Sequence, residues 1–126
     1  MKQRKERIVI ARHWRGWTEP QDADAYETLL KDTVLPGLRG IEGYRGGYIF
    51  RRDEPEEVEF VVVNFFISLE SVRRFAGSDY NIPVFEPEAK KLLRRVESVA
   101  MHYEVRANTV QRFIMVRPGG GSEERL

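Results

Sequence analysis

The stretch Val58–Ile67, VEFVVVNFFI, carries the strongest strand signal in the sequence. Most of its residues are β-branched or aromatic, and the side chains of a strand point alternately to two faces. One face carries Val58, Phe60, Val62, Asn64 and Phe66, and the other carries Glu59, Val61, Val63, Phe65 and Ile67. Both faces are almost entirely apolar after the first residue, so both must be shielded from water.

Three further strands are predicted around this one. Residues 8–14 are β-branched at their start and end before Gly16, and Tyr48–Phe50 leads into a polar turn. Ser98–Val105 alternates between apolar and polar side chains, which favours a fourth strand.

Two helical segments separate these strands. Apolar residues recur at helical spacing between Asp22 and Leu35, and Pro36 follows. Ser68 starts a capping pattern for a second helix that stops at Gly77, and a further helical turn is predicted over Pro87–Val96. The order is βαββαβ, which predicts an α+β, ferredoxin-like fold with a four-stranded antiparallel sheet and helices on one face.

One layer of helices covers only one face of such a sheet. A second copy of the chain would cover the other face by two-fold symmetry, so a homodimer through the sheet faces is expected. The alternative is a monomer with a curled sheet and a fully buried central strand. Residues 7–106 are predicted to form the domain, residues 107–117 an extension that could cross to the partner, and residues 118–126 a flexible tail.

Composition excludes several classes of function. The chain has 126 residues, a net charge of +1 and no cysteine. A balanced charge argues against nucleic acid and anionic membranes, and the lack of cysteine excludes disulfides and thiolate sites. The basic N-terminus is followed by too short an apolar run for a signal peptide or membrane span. We therefore expect a cytoplasmic protein.

Several short motifs together resemble the antibiotic biosynthesis monooxygenase superfamily of dimeric α/β barrels. They are Arg12-x-Trp14-x-Gly16, Ala25-Tyr26, Gly43-Tyr44-Arg45-Gly46, Glu57-Val58-Glu59-Phe60, Phe75-Ala76-Gly77-Ser78-Asp79-Tyr80, Pro87-Glu88-Ala89 and His102-Tyr103-Glu104-Val105. The likeness runs from Ile8 to Arg106. It implies a protomer whose sheet packs against that of its mate, with a small pocket between sheet and helices.

The same superfamily includes oxygenases that act on aromatic polyketide-like or quinol substrates without metal or flavin, and haem-degrading enzymes. The haem-degrading type needs a histidine on the helix beside the pocket, where this chain has Val72–Phe75, and a tryptophan where it has Phe66. The resemblance therefore disfavours haem, and no cofactor is predicted. The two histidines also have no acidic residues at ligand spacing, so no metal site is predicted.

A cofactor-free oxygenase needs a base, a group that holds the substrate oxygen, and apolar walls. His102 and His13 are the candidate bases, and Asn64 is the candidate oxygen binder. The candidate substrate-binding walls are Trp14, Trp17, Phe66, Phe75 and Tyr80. Each of these residues also has an ordinary explanation, since half-exposed histidines, a buried hydrogen-bonded asparagine and core aromatics are common.

Two functions therefore compete. The first is a cofactor-independent monooxygenase acting on a small phenol- or quinol-like compound, and the second is a non-catalytic homodimer that binds a small apolar ligand or serves a stress-related role. They differ in whether His102 and Asn64 share one cavity. A weaker hypothesis assigns an anionic partner to the basic residues Lys90, Lys91, Arg94 and Arg95.

Overall fold

The computed structural model describes residues 8–109, which form one antiparallel sheet with helices packed on one of its faces. The strands are β1 (Ile10–Thr18), β2 (Tyr44–Asp53), β3 (Val58–Phe66), β4 (Leu93–Val96) and β5 (Met101–Glu104). Their order is β2-β3-β1-β4, and β5 also pairs with β1. The ferredoxin-like order is thus confirmed, with two short strands sharing the fourth position. The predicted tail and most of the predicted extension lie outside the described residues.

Strand β4 corrects the sequence prediction, which placed Pro87–Val96 in a helix. The helix ends at Leu92, and Leu93–Val96 pairs with the end of β1 instead. The outer edge of β1 has backbone groups that need hydrogen-bond partners, and this pairing supplies them. The last strand starts at Met101 rather than at Ser98.

Strand β1 is longer than expected because Gly16 does not break it. A Cβ atom at Gly16 would lie 2.5 Å from the Trp14 ring, so glycine makes room for the indole in the strand. The strand therefore continues to Thr18.

The first helical segment also runs further than predicted. It consists of α1 (Ala23–Leu29), a π-helical turn (Leu30–Val34) and α2 (Leu35–Leu38). Pro36 does not end it, since it lies in the first turn of α2, where its missing N–H is tolerated. The remaining helices are α3 (Leu69–Ala76) and α4 (Pro87–Leu92). The predicted cap of α3 is confirmed, because the Ser68 hydroxyl accepts a hydrogen bond from the Ser71 N–H at 3.1 Å.

The two predicted faces of β3 are confirmed by burial. The side chains from Val58 to Phe66 on the helix side are buried, and those of Glu59, Val61, Val63 and Phe65 on the other side are half-buried. The strand register places the following side chains together on that second side, here called the open face: Ala11, His13, Tyr48, Phe50, Val61, Val63, Phe65, Met101 and Tyr103. Phe50 and Tyr103 are 51% and 52% exposed. No residue of the open face belongs to the core clusters of residues 8–109.

Candidate functional site

A cavity lies between the helix-covered face of the sheet and the helices. Its walls come from β1, β3, the first helical segment, α3, α4 and the linker before α4. The lining residues are Arg12, Trp14, Tyr26, Leu30, Val34, Leu38, Val62, Asn64, Phe75, Pro83, Val84, Phe85, Glu86 and Ala89. The cavity volume is about 70 Å³. Apart from Arg12, Asn64 and Glu86, the walls are predominantly aliphatic or aromatic, as is typical of sites for small organic ligands.

The polar floor of the cavity is built by two neighbouring strands. The register of β1 and β3 places Arg12 directly opposite Asn64, and Trp14 opposite Val62. Residues paired in this way point to the same face and lie close together. The floor therefore presents one guanidinium and one amide side by side.

The Asn64 side chain is hydrogen-bonded to the neighbouring strand β2. Its Oδ1 accepts a hydrogen bond from the Tyr44 hydroxyl at 2.9 Å, and the residue is 6% exposed. Gly47 pairs with Asn64 across β2 and β3, and a Cβ atom at Gly47 would overlap Oδ1. The absence of a side chain at Gly47 therefore leaves room for the Asn64 amide. With Oδ1 engaged, the Asn64 NH₂ group has no acceptor among residues 8–109 and remains available to a ligand.

Arg12 is a polar residue of the cavity that sequence reasoning did not single out. It is 5% exposed, and its Nη1 donates to the Tyr80 carbonyl at 2.5 Å while Nη2 donates to the Ile82 carbonyl at 3.2 Å. Burial lowers the pKa of Arg12 to about 10, so the guanidinium stays charged at neutral pH. The available signal was its place between Ile10 and Trp14 in the apolar alternation of β1.

His102 lies on the same side of the sheet as Asn64, but on the far side of Arg12 from it and outside the cavity lining. It pairs with Arg12 across β1 and β5, and its Nε2 lies 3.0 Å from Arg12 Nη1. Because a guanidinium can only donate, Nε2 is the acceptor and Nδ1 carries the proton. Burial, and then the charge of Arg12, lower the pKa of His102 to about 4. The imidazole is therefore neutral near pH 7, with its lone pair already engaged, and it does not line the cavity.

His13 projects from the open face, away from the cavity. It lies opposite Val63 and Met101 in the sheet, and its ring is 6.4 Å from that of Tyr103. The two histidines proposed as bases are thus on opposite faces of the sheet.

Only two of the five predicted aromatic wall residues line the cavity. Trp14 and Phe75 line the cavity, whereas Phe66 is stacked behind Phe75 in the core at a centroid distance of 6.2 Å. Trp17 lies outside the cavity, with the Arg95 guanidinium 3.8 Å from its ring centroid. Tyr80 reaches the site through its carbonyl oxygen rather than its ring. Tyr26 and Phe85 are cavity aromatics that were not predicted.

The basic residues Lys90, Lys91, Arg94 and Arg95 do not lie on one helix, because α4 ends at Leu92. Arg94 and Arg95 lie on β4, where they pair with Glu19 and Glu57 at 3.9 and 2.8 Å. Their charge is partly neutralised, which weakens the case for an anionic partner. Within the described part of the chain, no group of three or more His, Asp or Glu side chains is arranged to hold a metal ion. Over the same residues, no helix is long and apolar enough to cross a membrane.

Solved structures with the same architecture include proteins with and without a stated activity. The structure of Rv0793 from Mycobacterium tuberculosis aligns with a TM-score of 0.58 at 19% identity, covering 81% of this chain and 99% of that one. A monooxygenase from the gene ActVA-Orf6 of Streptomyces coelicolor, in complex with the ligand nanaomycin D, aligns with a TM-score of 0.52 at 14% identity, covering 84% and 94%.

A dimeric ferredoxin-like protein from an uncultured marine organism aligns with a TM-score of 0.56 at 11% identity, covering 85% of this chain and 95% of that one. The chain has the ferredoxin-like fold. The expected resemblance is thus confirmed at the level of fold. The sequence matches no family model and no curated protein. Function must therefore be argued from the site itself.

Proposed function

We propose that this chain is a cofactor-independent monooxygenase that acts on a small phenol- or quinol-like compound bound between sheet and helices. The observation that carries the proposal is the unengaged Asn64 NH₂ group on the floor of a cavity walled by Trp14, Tyr26 and Phe75. A ring between aromatic walls with one oxygen on an amide donor is the arrangement such a substrate requires. The shared fold with a monooxygenase supports it.

The residues would act by binding and by stabilising charge. Asn64 donates to the substrate oxygen and favours the phenolate, which is the electron-rich form that reduces dioxygen by one electron. The resulting radical pair combines to form a carbon–oxygen bond, and loss of water leaves a quinone. One oxygen atom of dioxygen enters the product and the other leaves as water.

The departing proton needs an acceptor near the cavity. Glu86 lines the cavity and offers a carboxylate. His102 is the histidine on the cavity side, and it acts as a base only after Arg12 has released its Nε2. The position of His13 on the open face favours a role in subunit association instead.

Entry of a ring requires movement of the linker. The cavity volume of about 70 Å³ is below that of an engineered ~150 Å³ cavity that holds benzene. The linker residues Ile82 and Val84 are half-exposed, so they lose little packing when they move. We therefore propose that residues 82–84 open outward to admit the substrate, which breaks the hydrogen bond from Arg12 Nη2 to the Ile82 carbonyl.

Oxygen uptake tests this function. Metal-stripped protein is assayed with a panel of hydroquinones and phenols, beside Asn64→Ala, His102→Ala and the control Asn81→Ala, which alters an exposed asparagine outside the cavity. Turnover above the buffer rate that falls at least about tenfold in Asn64→Ala, and not in Asn81→Ala, supports the proposal. Uptake equal to buffer for every substrate contradicts it.

A second candidate is a small-ligand-binding homodimer without catalysis. The observation in its favour is the engagement of His102 Nε2 by Arg12, which leaves the cavity without a free imidazole base. Ligand binding at the cavity with no oxygen uptake is the result that selects it.

We also propose that the chain forms a homodimer through the open face. That face exposes Phe50 and Tyr103 together with half-buried valines, and a second copy offers a matching apolar surface. The resemblance to a dimeric protein of the same fold supports this assembly. A cytoplasmic location remains a prediction from composition.

A further inference from the structure

Among residues 8–109, the charge of Arg12 has no counter-ion. The residue is almost fully buried, and its polar partners are two peptide carbonyls and a neutral imidazole. None of the ion pairs found among residues 8–109 includes it, and the exposed Glu86 at the cavity wall does not pair with it. Burying an uncompensated charge is costly, so its retention beside a cavity calls for a compensating ligand.

The Arg12 guanidinium also has N–H groups that are not hydrogen-bonded to any of residues 8–109. It carries five N–H groups, and three of them donate to Tyr80, Ile82 and His102, which leaves two. The adjacent Asn64 NH₂ is likewise unengaged. The cavity floor therefore concentrates donors that have no matching acceptors in the described part of the chain, beneath walls that are largely apolar.

A purely structural role does not account for this arrangement. Arg12 does hold the linker by the carbonyls of Tyr80 and Ile82, but a neutral donor can bind a carbonyl without the cost of a buried charge. The guanidinium carbon lies 5.4 Å from the centroid of the Phe75 ring, and this cation–π contact offsets only part of the cost of burying the charge, so an anion would supply the missing compensation.

We propose that Arg12 and Asn64 together bind the anionic oxygen of an aromatic ligand, either an aryl carboxylate or a phenolate. The two donors lie on adjacent strands, directly opposite in register, so one carboxylate can bridge them. The ring then lies against Trp14 and Phe75. This inference rests on the proposed use of the cavity for aromatic compounds and specifies their charge.

The first experiment compares benzoate with benzamide, which have nearly the same shape and differ in charge. Titration calorimetry of the unmodified protein is expected to show benzoate binding about tenfold or more tightly, since a hydrogen bond to a charged group is stronger than one between neutral groups. Equal affinity, tighter binding of benzamide, or no binding of either at millimolar concentration overturns the proposal. This comparison needs no variant, so it stands even where a substitution impairs folding.

The second experiment assigns the preference to Arg12. Arg12→Gln keeps a donor and removes the charge, and the matched control Arg74→Gln changes an exposed arginine of α3 that pairs with Glu70. Loss of the benzoate preference in Arg12→Gln alone is expected. A preference that survives in Arg12→Gln, or is lost equally in Arg74→Gln, places the anion elsewhere and overturns the assignment.

A third measurement separates phenolate from carboxylate binding and the anion site from catalysis. The visible absorbance of bound 4-nitrophenol reports its ionisation, and Arg12 is expected to lower the pH at which the bound phenol ionises, an effect lost in Arg12→Gln. No such lowering restricts the site to carboxylates. Anion-selective binding without oxygen uptake would keep this site and overturn the oxygenase, because binding and turnover are measured separately.

Discussion

The helix-covered face and the open face of the sheet are built from the same strands but present different side chains. On β3, Asn64 and Phe60 point toward the helices, whereas Val63 and Phe65 point to the open face. The covered face surrounds Arg12 and Asn64, which both keep donors that no acceptor of residues 8–109 engages, with apolar walls, as the proposed binding site requires. The open face is apolar apart from His13, Arg15 and Glu59, which suits the proposed association. One-residue alternation along a strand is enough to place the proposed site and the proposed dimer interface on opposite faces of the sheet.

The histidines show the same division. His102 sits behind the cavity with its Nε2 engaged by Arg12, and His13 lies among the apolar side chains of the open face. A histidine in a strand is therefore not a catalytic signal until the face to which it points is known.

The largest expected effect comes from placing a charge on the open face. Val63→Asp would bury a carboxylate against the partner at a cost of ~3 kcal/mol or more, and twice over by symmetry, so the proposed dimer should dissociate. Sedimentation velocity measures the change. The control Ile82→Asp places the same charge on the exposed linker and should leave the dimer intact. A Val63→Asp protein that remains dimeric at all concentrations would remove the open face as the interface.

A matched pair on β3 sharpens the contrast between the faces. Phe60→Ala removes a fully buried ring and should lower the free energy of unfolding by about 3–5 kcal/mol, largely independent of protein concentration. Phe65→Ala removes the same ring from the open face and should act mainly through dimerisation, so its effect should grow with protein concentration. Urea unfolding at several concentrations measures both. Equal, concentration-independent losses would show that the open face is not an interface.

The smallest expected effect is on how the free energy of unfolding depends on pH. With a pKa of about 4 in the folded protein against a usual 6.5, His102 binds fewer protons in the folded state than in the unfolded state between these values. Its contribution therefore lowers the free energy of unfolding as the pH falls from about 6.5 toward about 4.

His102→Gln keeps an acceptor for Arg12 but does not titrate. Thermal unfolding across this range should show a smaller decline in the variant than in the unmodified protein, and His13→Gln on the open face is the comparison. An equal decline in stability in the unmodified protein and in His102→Gln would mean that other groups cause the loss of stability at low pH.

Local patterns in the sequence determined the order of the elements. The alternation of Val58–Phe66 fixes a strand with two faces, and Ser68 and Gly77 mark the ends of a helix through a side-chain cap and a φ of +89°. These signals lie within a few residues of the structure they specify. The βαββαβ order follows from them without knowledge of any distant contact.

Strand β4 and the role of Arg12 depended on distant parts of the chain. Leu93–Val96 has two central arginines and no clear strand pattern, and it becomes a strand because the edge of β1 requires a partner. Arg12 is engaged by carbonyls at positions 80 and 82, far along the chain. Alternation alone assigned two faces to each strand. Only tertiary packing decided which face the helices cover, and therefore that Arg12, rather than either histidine, shares the cavity floor with Asn64.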